Sequence, residues 1–400
     1  MIKANLEKYR ADVFRCARCG TCRELYTDIP PKFRGVCPIR EHTGGFEHYY
    51  ARGRIMVARG ILRGELTEYT PSLVDSVYTC LQCGACREAG FLKNPDGSWR
   101  VNSLEINKAM RADMVSEGIE IPEGAAKLAA AVEKTGNIYE APKADRMKWL
   151  TPDIKVADKA DLLYFPGCVT PYRLSGVAQA TAKILNKAGA KFMLLGDKEV
   201  CCGDPLFMSG QLDLAREMVR KNLSLIKKMG AKRIVTACAG CYRTITQEWP
   251  KVTGKELPFE VIHSTQLVKG LVDSGKIRLP KAIEKTVTYH DPCELGRHCG
   301  IYDEPREIIK GIPGIELVEM LRNREAAWCC GAGGGVKASF PDMAVEVAGD
   351  RLAEAKEAGA TMIVSACPTC EMNLSDAIRA SGDGLATADV MELVVEAMGL

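Results

Sequence analysis

The sequence has no long apolar run, no strong excess of either charge and few aromatic residues. Its 400 residues include 54 Lys and Arg, 51 Asp and Glu and 6% aromatics, for a formal net charge of +3. The most apolar stretches, such as residues 390–398, contain charged side chains and fall short of the roughly 20 apolar residues that cross a bilayer. Long basic blocks interleaved with aromatics are also missing. We therefore expect neither a transmembrane segment nor nucleic-acid binding.

Two other sequence signals are missing. The first ten residues include Lys3, Glu7, Lys8 and Arg10 instead of an apolar signal segment. The 18 cysteines are therefore expected to be reduced thiols in the cytoplasm, not disulfides. The glycine tract 331–335 has a valine where G-x-G-x-x-G needs its last glycine. Any flavin or haem is thus expected on another polypeptide, and the tract is expected to let the backbone approach a cofactor closely.

What the sequence has in abundance is cysteine, and ten of its cysteines form two matching sets. Each set contains a single cysteine, then Cys-Cys-Gly, then Cys-x-x-Cys. Equivalent members lie 125, 128, 129 and 129 residues apart, which indicates an internal duplication. Five thiols are one more than a tetrahedral zinc or a simple cubane uses, so each set predicts an iron–sulfur cluster with an additional thiolate position. The first set is Cys168, Cys201, Cys202, Cys238 and Cys241, and the second is Cys293, Cys329, Cys330, Cys367 and Cys370.

From residue 160 onward, short apolar runs alternate with longer amphipathic segments, which is typical of an α/β fold. In each copy the single cysteine and the Cys-x-x-Cys motif follow predicted strands. Because open α/β sheets bind ligands at the carboxyl ends of their strands, the sulfurs are expected to gather there. The adjacent cysteines require a turn, and Gly203 and Gly331 are expected to end it. The predicted strands are 162–165, 191–195, 234–236, 287–289, 315–319 and 362–365, and the predicted helices are 176–188, 212–229, 305–310 and 342–358.

The seven cysteines near the amino terminus are typical of a ferredoxin-like module. They are Cys16, Cys19, Cys22, Cys37, Cys80, Cys83 and Cys86. In such modules three closely spaced cysteines bind one 4Fe-4S cluster, and the fourth ligand, usually followed by proline, comes from the other motif. Because Pro38 follows Cys37, that cysteine is predicted to complete the cluster of Cys80, Cys83 and Cys86.

The triplet Cys16, Cys19 and Cys22 lacks its expected fourth partner, because Gly90 occupies that position. This second cluster is either 3Fe-4S, or 4Fe-4S completed by an oxygen, by His42 or by a distant cysteine such as Cys299. Alternatively, it takes Cys37 and leaves the other triplet incomplete. A zinc ion at one triplet, or no metal at all, is the remaining alternative.

The predicted domains are a ferredoxin-like 4Fe-4S domain at 1–92, a helical segment and linker at 93–159, and the two repeated domains at 160–284 and 285–400. Residues 53–66, 104–116 and 124–134 have apolar residues at helical spacing. Residues 139–158 are polar and contain proline, and they are predicted to be a linker.

The spacing of both cysteine sets resembles the CCG domain in the catalytic D-type and B-type chains of the heterodisulfide reductase family, and in the iron–sulfur subunits of glycolate and lactate oxidases. Two ferredoxin motifs followed by two CCG domains resemble the subunit that joins a membrane cytochrome. The segment from Ala51 to Ile55, ARGRI, resembles the glycolate oxidase type. The resemblance implies an α/β fold of duplicated CCG domains, two Rossmann-like halves, preceded by a mostly helical ferredoxin-like domain.

The resemblance also implies that each set of five cysteines binds one noncubane 4Fe-4S cluster. In disulfide-cleaving members, a substrate such as the disulfide of coenzymes M and B lies between the two clusters. The leading hypothesis is therefore an iron–sulfur oxidoreductase subunit that reduces a (hetero)disulfide with electrons relayed through the ferredoxin-type clusters. Relay members often lose cysteines from one copy, and the completeness of both sets here favours disulfide chemistry.

The alternative is an electron-transfer subunit that links a flavin dehydrogenase of glycolate, lactate or acyl type to a quinone or membrane carrier. In both cases the expected partner is a flavoprotein or a membrane cytochrome subunit in a hetero-oligomer. Such a partner would hold a cytoplasmic chain at the inner face of the membrane.

Several single residues are candidates with competing structural roles. His290 is either a proton donor to the leaving thiolate or a hydrogen-bond partner of sulfur or backbone. Cys299 lies outside every set and is either the missing fourth ligand, a thiol beside the substrate or a free buried thiol, of which the last is favoured. Arg173, Arg297 and Lys337 follow cysteine loops and are either ligands for an anionic substrate or solvated surface charges. His263 is expected to be structural.

Overall fold

The computed structural model describes residues 1, 3–24, 30–90, 93–382 and 384–400. These residues form two compact units. The first unit comprises Met1–Lys127, Pro205–Leu212 and Arg322–Arg351, and the second comprises Leu128–Asp204, Asp213–Leu321 and Leu352–Leu400. The first unit thus includes the segment that follows the first Cys-Cys-Gly motif and the segment that contains the second one. The predicted end of the ferredoxin-like domain, at residue 92, lies outside the described residues.

The second unit contains two four-stranded parallel sheets with the same topology, which confirms the predicted duplicated α/β fold. The first sheet has the order β2-β1-β3-β4 and the second has the order β6-β5-β7-β8. In the first, Tyr164 pairs with Val235, and in the second, His290 pairs with Ser365. The strands are β1 Leu162–Tyr164, β2 Phe192–Met193, β3 Arg233–Thr236, β4 Glu260–His263, β5 Lys285–His290, β6 Ile315–Leu317, β7 Met362–Ser365 and β8 Ala386–Asp389.

The last strand of each sheet, β4 or β8, leads directly into a helix with a capping box. The side chain of His263 caps one helix with Gln266, and that of Asp389 caps the other with Glu392. These boxes satisfy backbone N–H groups that a helix leaves free at its first turn. The α-helices that lie wholly in the second unit are Val169–Tyr172, Ser175–Lys187, Ala239–Arg243, Trp249–Thr253, Ser264–Asp273, Gly296–Cys299, Asp303–Lys310, Pro368–Ser381 and Val390–Met398, with a π-helical turn at Thr244–Glu248.

The segment that was predicted to be a linker, 139–158, packs against the first sheet. Trp149 and Ile154 are buried in one core with Tyr164 and Phe192. A short 3₁₀ helix, Lys143–Met147, precedes this tryptophan. Burial of the apolar tryptophan side chain therefore stabilises the packing of this segment, although its composition is polar and includes proline.

The first unit is mostly helical, as predicted. Its core contains Leu6, Val13, Ile55, Tyr78 and Met110. The α-helices that lie wholly in it are Arg10–Arg15, Pro38–Glu41, Ala51–Arg63, Pro71–Tyr78, Ala85–Ala89, Ser103–Ser116 and Val336–Ser339. Four further helices, Glu123–Thr135, Asp204–Ser209, Leu212–Met229 and Pro341–Glu357, contain the boundaries between the units. None of the helices in the described part of the chain is both long and apolar enough to span a bilayer.

Candidate functional site

The 18 cysteines all lie in the described part of the chain and form no disulfides. The first set of five forms a continuous chain of sulfur contacts. Hydrogen bonds between thiols join Cys168 to Cys201, Cys201 to Cys202, and Cys241 to Cys238. The sulfurs of Cys202 and Cys241 lie 3.3 Å apart. All five residues are buried. The fold therefore gathers five soft donors around one point at the carboxyl ends of β1 and β3.

Backbone groups hold these sulfurs in place. The N–H of Gly203, at φ 97°, donates to the Cys201 sulfur at 3.4 Å, and the N–H of Cys241 donates to the Cys238 sulfur at 3.5 Å. The indole N–H of Trp249 donates to the carbonyl oxygen of Cys202 at 2.9 Å. The left-handed backbone of Gly203 ends the turn, as its position after the paired cysteines predicted.

A buried ion pair lies beside Cys168. The Arg146 guanidinium is 2.8 Å from Glu199 and also donates to the carbonyl of Gly167, with one nitrogen 4.0 Å from the Cys168 sulfur. Glu199 in turn accepts from the N–H of Gly167 at 3.0 Å. Burial raises the pKa of Glu199, and the charge of Arg146 opposes this rise. Sequence analysis missed both residues, although the position of Glu199 two residues before Cys201 was an available signal.

A second residue that sequence analysis missed is Tyr139. Its ring is covered by the exposed Arg173 guanidinium at 4.7 Å, and its hydroxyl lies 3.7 Å from the sulfur of Met372. Burial raises the pKa of Tyr139, and the neighbouring thiols of Cys168 and Cys238 add to the rise. Arg173, a candidate for binding an anion, therefore lies above an aromatic ring that adjoins the first thiol set.

The two repeated halves meet through their Cys-x-x-Cys motifs. A thiol–thiol hydrogen bond joins Cys238 of the first set to Cys367 of the second. Cys293 follows β5, and Cys367 and Cys370 follow β7, so these sulfurs occupy the equivalent edge of the second sheet. The other two members of this set belong to the first unit.

His290 is the last residue of β5 and is only 1% exposed. One of its ring nitrogens lies within 4.8 Å of the Cys370 sulfur. The structure thus brings together the predicted proton donor and one of the predicted cluster ligands. This distance is compatible with both roles considered for the histidine.

Arg243 connects the two halves electrostatically. It is buried two residues after Cys241 and lies 2.7 Å from Glu248, within the π-helical turn. It also lies 3.6 Å from Asp204, which follows the first Cys-Cys-Gly motif, and 3.3 Å from Glu294, which follows Cys293. Single π-helical turns occur frequently at functional sites, and here the turn directly follows a cysteine motif.

In the first unit, one cavity of about 30 Å³ is lined by Cys37, Cys80, Cys83 and Cys86. These are the four cysteines that the proline rule assigned to one cluster. The thiol of Cys37 donates to the carbonyl of Tyr49 at 3.7 Å, and the Cys86 sulfur lies 3.1 Å from the hydroxyl of Ser103. Burial raises the pKa of the Cys37 thiol to about 11, and the positive charge of the nearby Arg54 opposes this rise.

The other triplet is more accessible to solvent. Cys19 is exposed, and a hydrogen bond from Thr21 lowers its pKa, whereas burial raises the pKa of Cys22 to about 12. His42, one of the predicted alternatives for the fourth ligand, lies 2.8 Å from Asp350 and 3.6 Å from Glu346. Because both ring nitrogens have a carboxylate partner, this arrangement favours a structural role for the histidine.

The glycine tract 331–335 packs against the loop that carries Cys80. A Cβ atom on Gly334, where φ is +63°, would lie 2.3 Å from the carbonyl oxygen of Cys80, and one on Gly333 would lie 2.5 Å from that of Leu81. Only glycine permits this approach. The tract therefore places the chain that directly follows Cys329 and Cys330 against the loop of the four-cysteine cavity.

The remaining candidate residues have varied surroundings. Cys299 is half-buried instead of fully buried as expected, and its sulfur lies 3.6 Å from the amide of Gln247. Burial raises the pKa of this thiol to about 12. Arg297 is buried and Lys337 is half-buried. His263 is buried and caps a helix, and burial lowers its pKa to about 4, so its ring is neutral at pH 7. This arrangement agrees with the structural role expected for it.

Comparison with known proteins identifies the class that this fold and these cysteines define. Residues 162–246 and 287–375 match the CCG family, described as a cysteine-rich domain, and residues 12–89 match a 4Fe-4S dicluster domain. The D subunit of dihydromethanophenazine:CoB–CoM heterodisulfide reductase from Methanosarcina barkeri is 41% identical, over 96% of this chain and 94% of that one. EtfAB:quinone oxidoreductase of Syntrophomonas wolfei is 27% identical, over 97% of this chain and 58% of that one.

This is an iron–sulfur oxidoreductase with duplicated CCG domains. The chain belongs to the heterodisulfide reductase family, in which it is similar to the D subunits. Among solved structures, a hypothetical protein from Helicobacter pylori has a TM-score of 0.53 at 11% identity, covering 100% of this chain and 76% of that one. This last likeness concerns the fold alone.

If the first thiol set binds a 4Fe-4S cluster, substituting alanine for Gly167 is expected to prevent its assembly and to lower the iron content by about four atoms per chain. Gly167 has φ +78°, and a Cβ there would lie 2.8 Å from the Cys241 sulfur. Gly189→Ala is a matched control, since Gly189 has φ +71° but nothing within 4 Å of its added Cβ. Equal iron contents of the two purified variants would contradict a role for this clash at a metal centre.

Proposed function

We propose that this protein reduces a disulfide at its duplicated CCG domains, with electrons that arrive through its amino-terminal cysteine module. The observation that carries the proposal is the thiol contact between Cys238 and Cys367, which joins the two sets of five cysteines. Splitting a disulfide consumes two electrons and two protons and yields two thiols. Two adjacent metal centres match that two-electron requirement.

The donors fit iron–sulfur clusters. Five buried thiols in mutual contact are too many for one zinc ion, and soft thiolates prefer iron–sulfur clusters or similar metals. We assign one noncubane 4Fe-4S cluster to each set of five. A ferredoxin-type 4Fe-4S cluster is assigned to Cys37, Cys80, Cys83 and Cys86, and a 4Fe-4S or 3Fe-4S cluster to Cys16, Cys19 and Cys22. When bound, these clusters supply the electrons for cleavage of the S–S bond.

The protein's own residues orient the site and handle protons and charge. Arg146 and Glu199 clamp Gly167 on both its N–H and carbonyl sides, which fixes the turn that presents Cys168. His290, near Cys370, is proposed to hold a proton at a ring nitrogen for a product thiolate. Arg173 is exposed and close to the first set, where it can attract an anionic group of the substrate.

The natural electron donor is proposed to be a partner subunit. The relatives are named as a subunit of a methanophenazine-linked reductase and as a quinone oxidoreductase, which supports a flavoprotein or membrane cytochrome partner in a hetero-oligomer. An anionic heterodisulfide such as that of coenzymes M and B is the substrate favoured by the likeness to the D subunits.

Thiol titration of the oxidised protein tests the proposal. Adding coenzyme M to oxidised wild-type protein is expected to produce a new paramagnetic signal. A thiol that binds to an iron–sulfur cluster would change the electronic state of that cluster. In parallel, viologen-reduced protein is expected to cleave the disulfide of coenzymes M and B. Absence of both effects, together with rapid reduction of the protein by an acyl-CoA dehydrogenase with its electron-transfer flavoprotein, would instead support the electron-transfer alternative.

A further inference from the structure

Two arginine side chains are buried next to the four-cysteine cavity of the first unit. Arg54, in the helix Ala51–Arg63, is 4% exposed and lines the cavity itself. Arg111, in the helix Ser103–Ser116, is 0% exposed and donates to the carbonyl oxygen of Cys80 at 2.8 Å. Both positive charges therefore lie against the loop and cavity that the four cysteines define.

The hydrogen bonds of both guanidinium groups go to uncharged oxygens. Arg54 donates to the carbonyl of Ser76 at 2.6 Å and to the hydroxyl of Thr79 at 3.1 Å. Among the described residues, the partners of Arg111 are the backbone carbonyls of Val77, Tyr78, Cys80, Met208 and Gly334. Within the described part of the chain, neither arginine has a carboxylate partner.

Two buried cations without carboxylates are unfavourable unless an anion lies beside them. The two guanidinium groups bind the same short segment, because Arg54 donates to Ser76 and Thr79 while Arg111 donates to the carbonyls of Tyr78 and Cys80. The four cysteines of the cavity offer the compensating charge. An iron–sulfur cluster held by four thiolates is an anion, and its negative charge increases by one when it is reduced.

We propose that Arg54, assisted by Arg111, raises the reduction potential of the cluster held by Cys37, Cys80, Cys83 and Cys86. Burial alone disfavours the more negative reduced state, because a medium of low dielectric constant stabilises charge poorly. A neighbouring fixed cation stabilises the reduced state more than the oxidised one. The two arginines thus keep a solvent-shielded cluster reducible. This inference rests on the proposed ligand set, and it does not depend on which substrate the CCG domains reduce.

Arg54→Gln is expected to shift the midpoint potential of this cluster to more negative values, because glutamine retains a hydrogen-bond donor but not the charge. Arg54→Lys retains the charge and is expected to keep a midpoint close to that of the wild type. Arg63→Gln, on the same helix with a side chain 50% exposed and paired with Glu65, is the matched control for a surface charge. The measurement is a redox titration of the purified protein, followed by electron paramagnetic resonance without substrate.

The cluster's resonance is assigned as the one that Cys83→Ala removes. Persistence of every resonance in that variant would overturn the proposal by refuting the ligand set, and an unshifted midpoint in Arg54→Gln would overturn it directly. If Arg54→Gln does not assemble the cluster, Arg111→Gln provides a second test, since it removes the other buried charge and retains a hydrogen-bond donor. Arg111→Gln is expected to lower the midpoint and Arg111→Lys is expected to leave it close to that of the wild type; equal midpoints in these two variants would refute the role of the charge. Because this titration does not measure disulfide cleavage, an unshifted midpoint would count against the role of Arg54 and not against the proposed disulfide reduction.

Discussion

Replacing Arg111 with methionine is expected to lower the free energy of unfolding by about 5 kcal/mol, because several buried carbonyl oxygens lose a charged hydrogen-bond donor. The guanidinium group donates hydrogen bonds to three separate segments of the first unit. It binds the carbonyls at the end of the helix Pro71–Tyr78 and of Cys80, and those of Met208 and Gly334. Each orphaned buried acceptor costs about 1–3 kcal/mol, which partial relaxation of the backbone reduces. Methionine fills similar space but donates no hydrogen bond.

Urea unfolding of the cluster-loaded protein, followed by circular dichroism, checks this expectation. Arg63→Met is the control, since the side chain of Arg63 is 50% exposed and lies 3.4 Å from Glu65. That variant is expected to lose no more than about 1 kcal/mol, as is typical of ion pairs at the surface. If the unfolding curves of Arg111→Met and Arg63→Met coincide, the guanidinium of Arg111 does not provide the stabilisation that its hydrogen bonds indicate.

Cys202→Ala is expected to reduce the rate of disulfide cleavage at least about 100-fold, since losses of up to that size already follow changes outside the first coordination shell of metal sites. Cys202 lies in the middle of the sulfur chain, in contact with Cys201 and Cys241. Its removal interrupts the donor set of the first half. The resonance assigned to Cys37, Cys80, Cys83 and Cys86 should remain, because the amino-terminal module is assembled from other residues.

Cys299→Ala is the matched control for loss of a thiol. Its sulfur contacts Gln247 and belongs to neither set of five. We expect this variant to retain both its iron content and its cleavage rate, as a free structural thiol would. Full activity in Cys202→Ala, measured with reduced viologen and the disulfide of coenzymes M and B, would contradict the proposed catalytic centre.

Much of the fold could be predicted because apolar residues recur at regular spacing in several of its helices and strands. The helix Leu212–Met229 has the predicted bounds, since its apolar residues recur on one face while charged residues cover the other. Strand β7, Met362–Ser365, was also predicted, because its four residues are all buried. Strands β4 and β8 were not predicted, because each starts with an exposed residue and is only partly buried.

The candidate site could be predicted where the binding of a cluster requires cysteines at a particular spacing in the sequence. Pro38 marked Cys37 as the partner of the distant triplet, and the structure places these four cysteines around one cavity. Arg54, Arg111 and Arg146 could not be found in this way, because no spacing rule identifies an arginine that becomes buried through tertiary packing. Their roles depend on carbonyl and carboxylate partners from segments distant in the sequence.

The matched capping boxes show what fusion of two copies in one polypeptide makes possible. At equivalent places, just before the last helix of each half, the first half has His263 and the second has Asp389, so a neutral imidazole corresponds to a carboxyl group. A dimer of identical chains must present the same group on both sides of its symmetry axis. A tandem duplication is free of that restriction, and it can evolve unlike surroundings for the two ends of an unsymmetrical molecule.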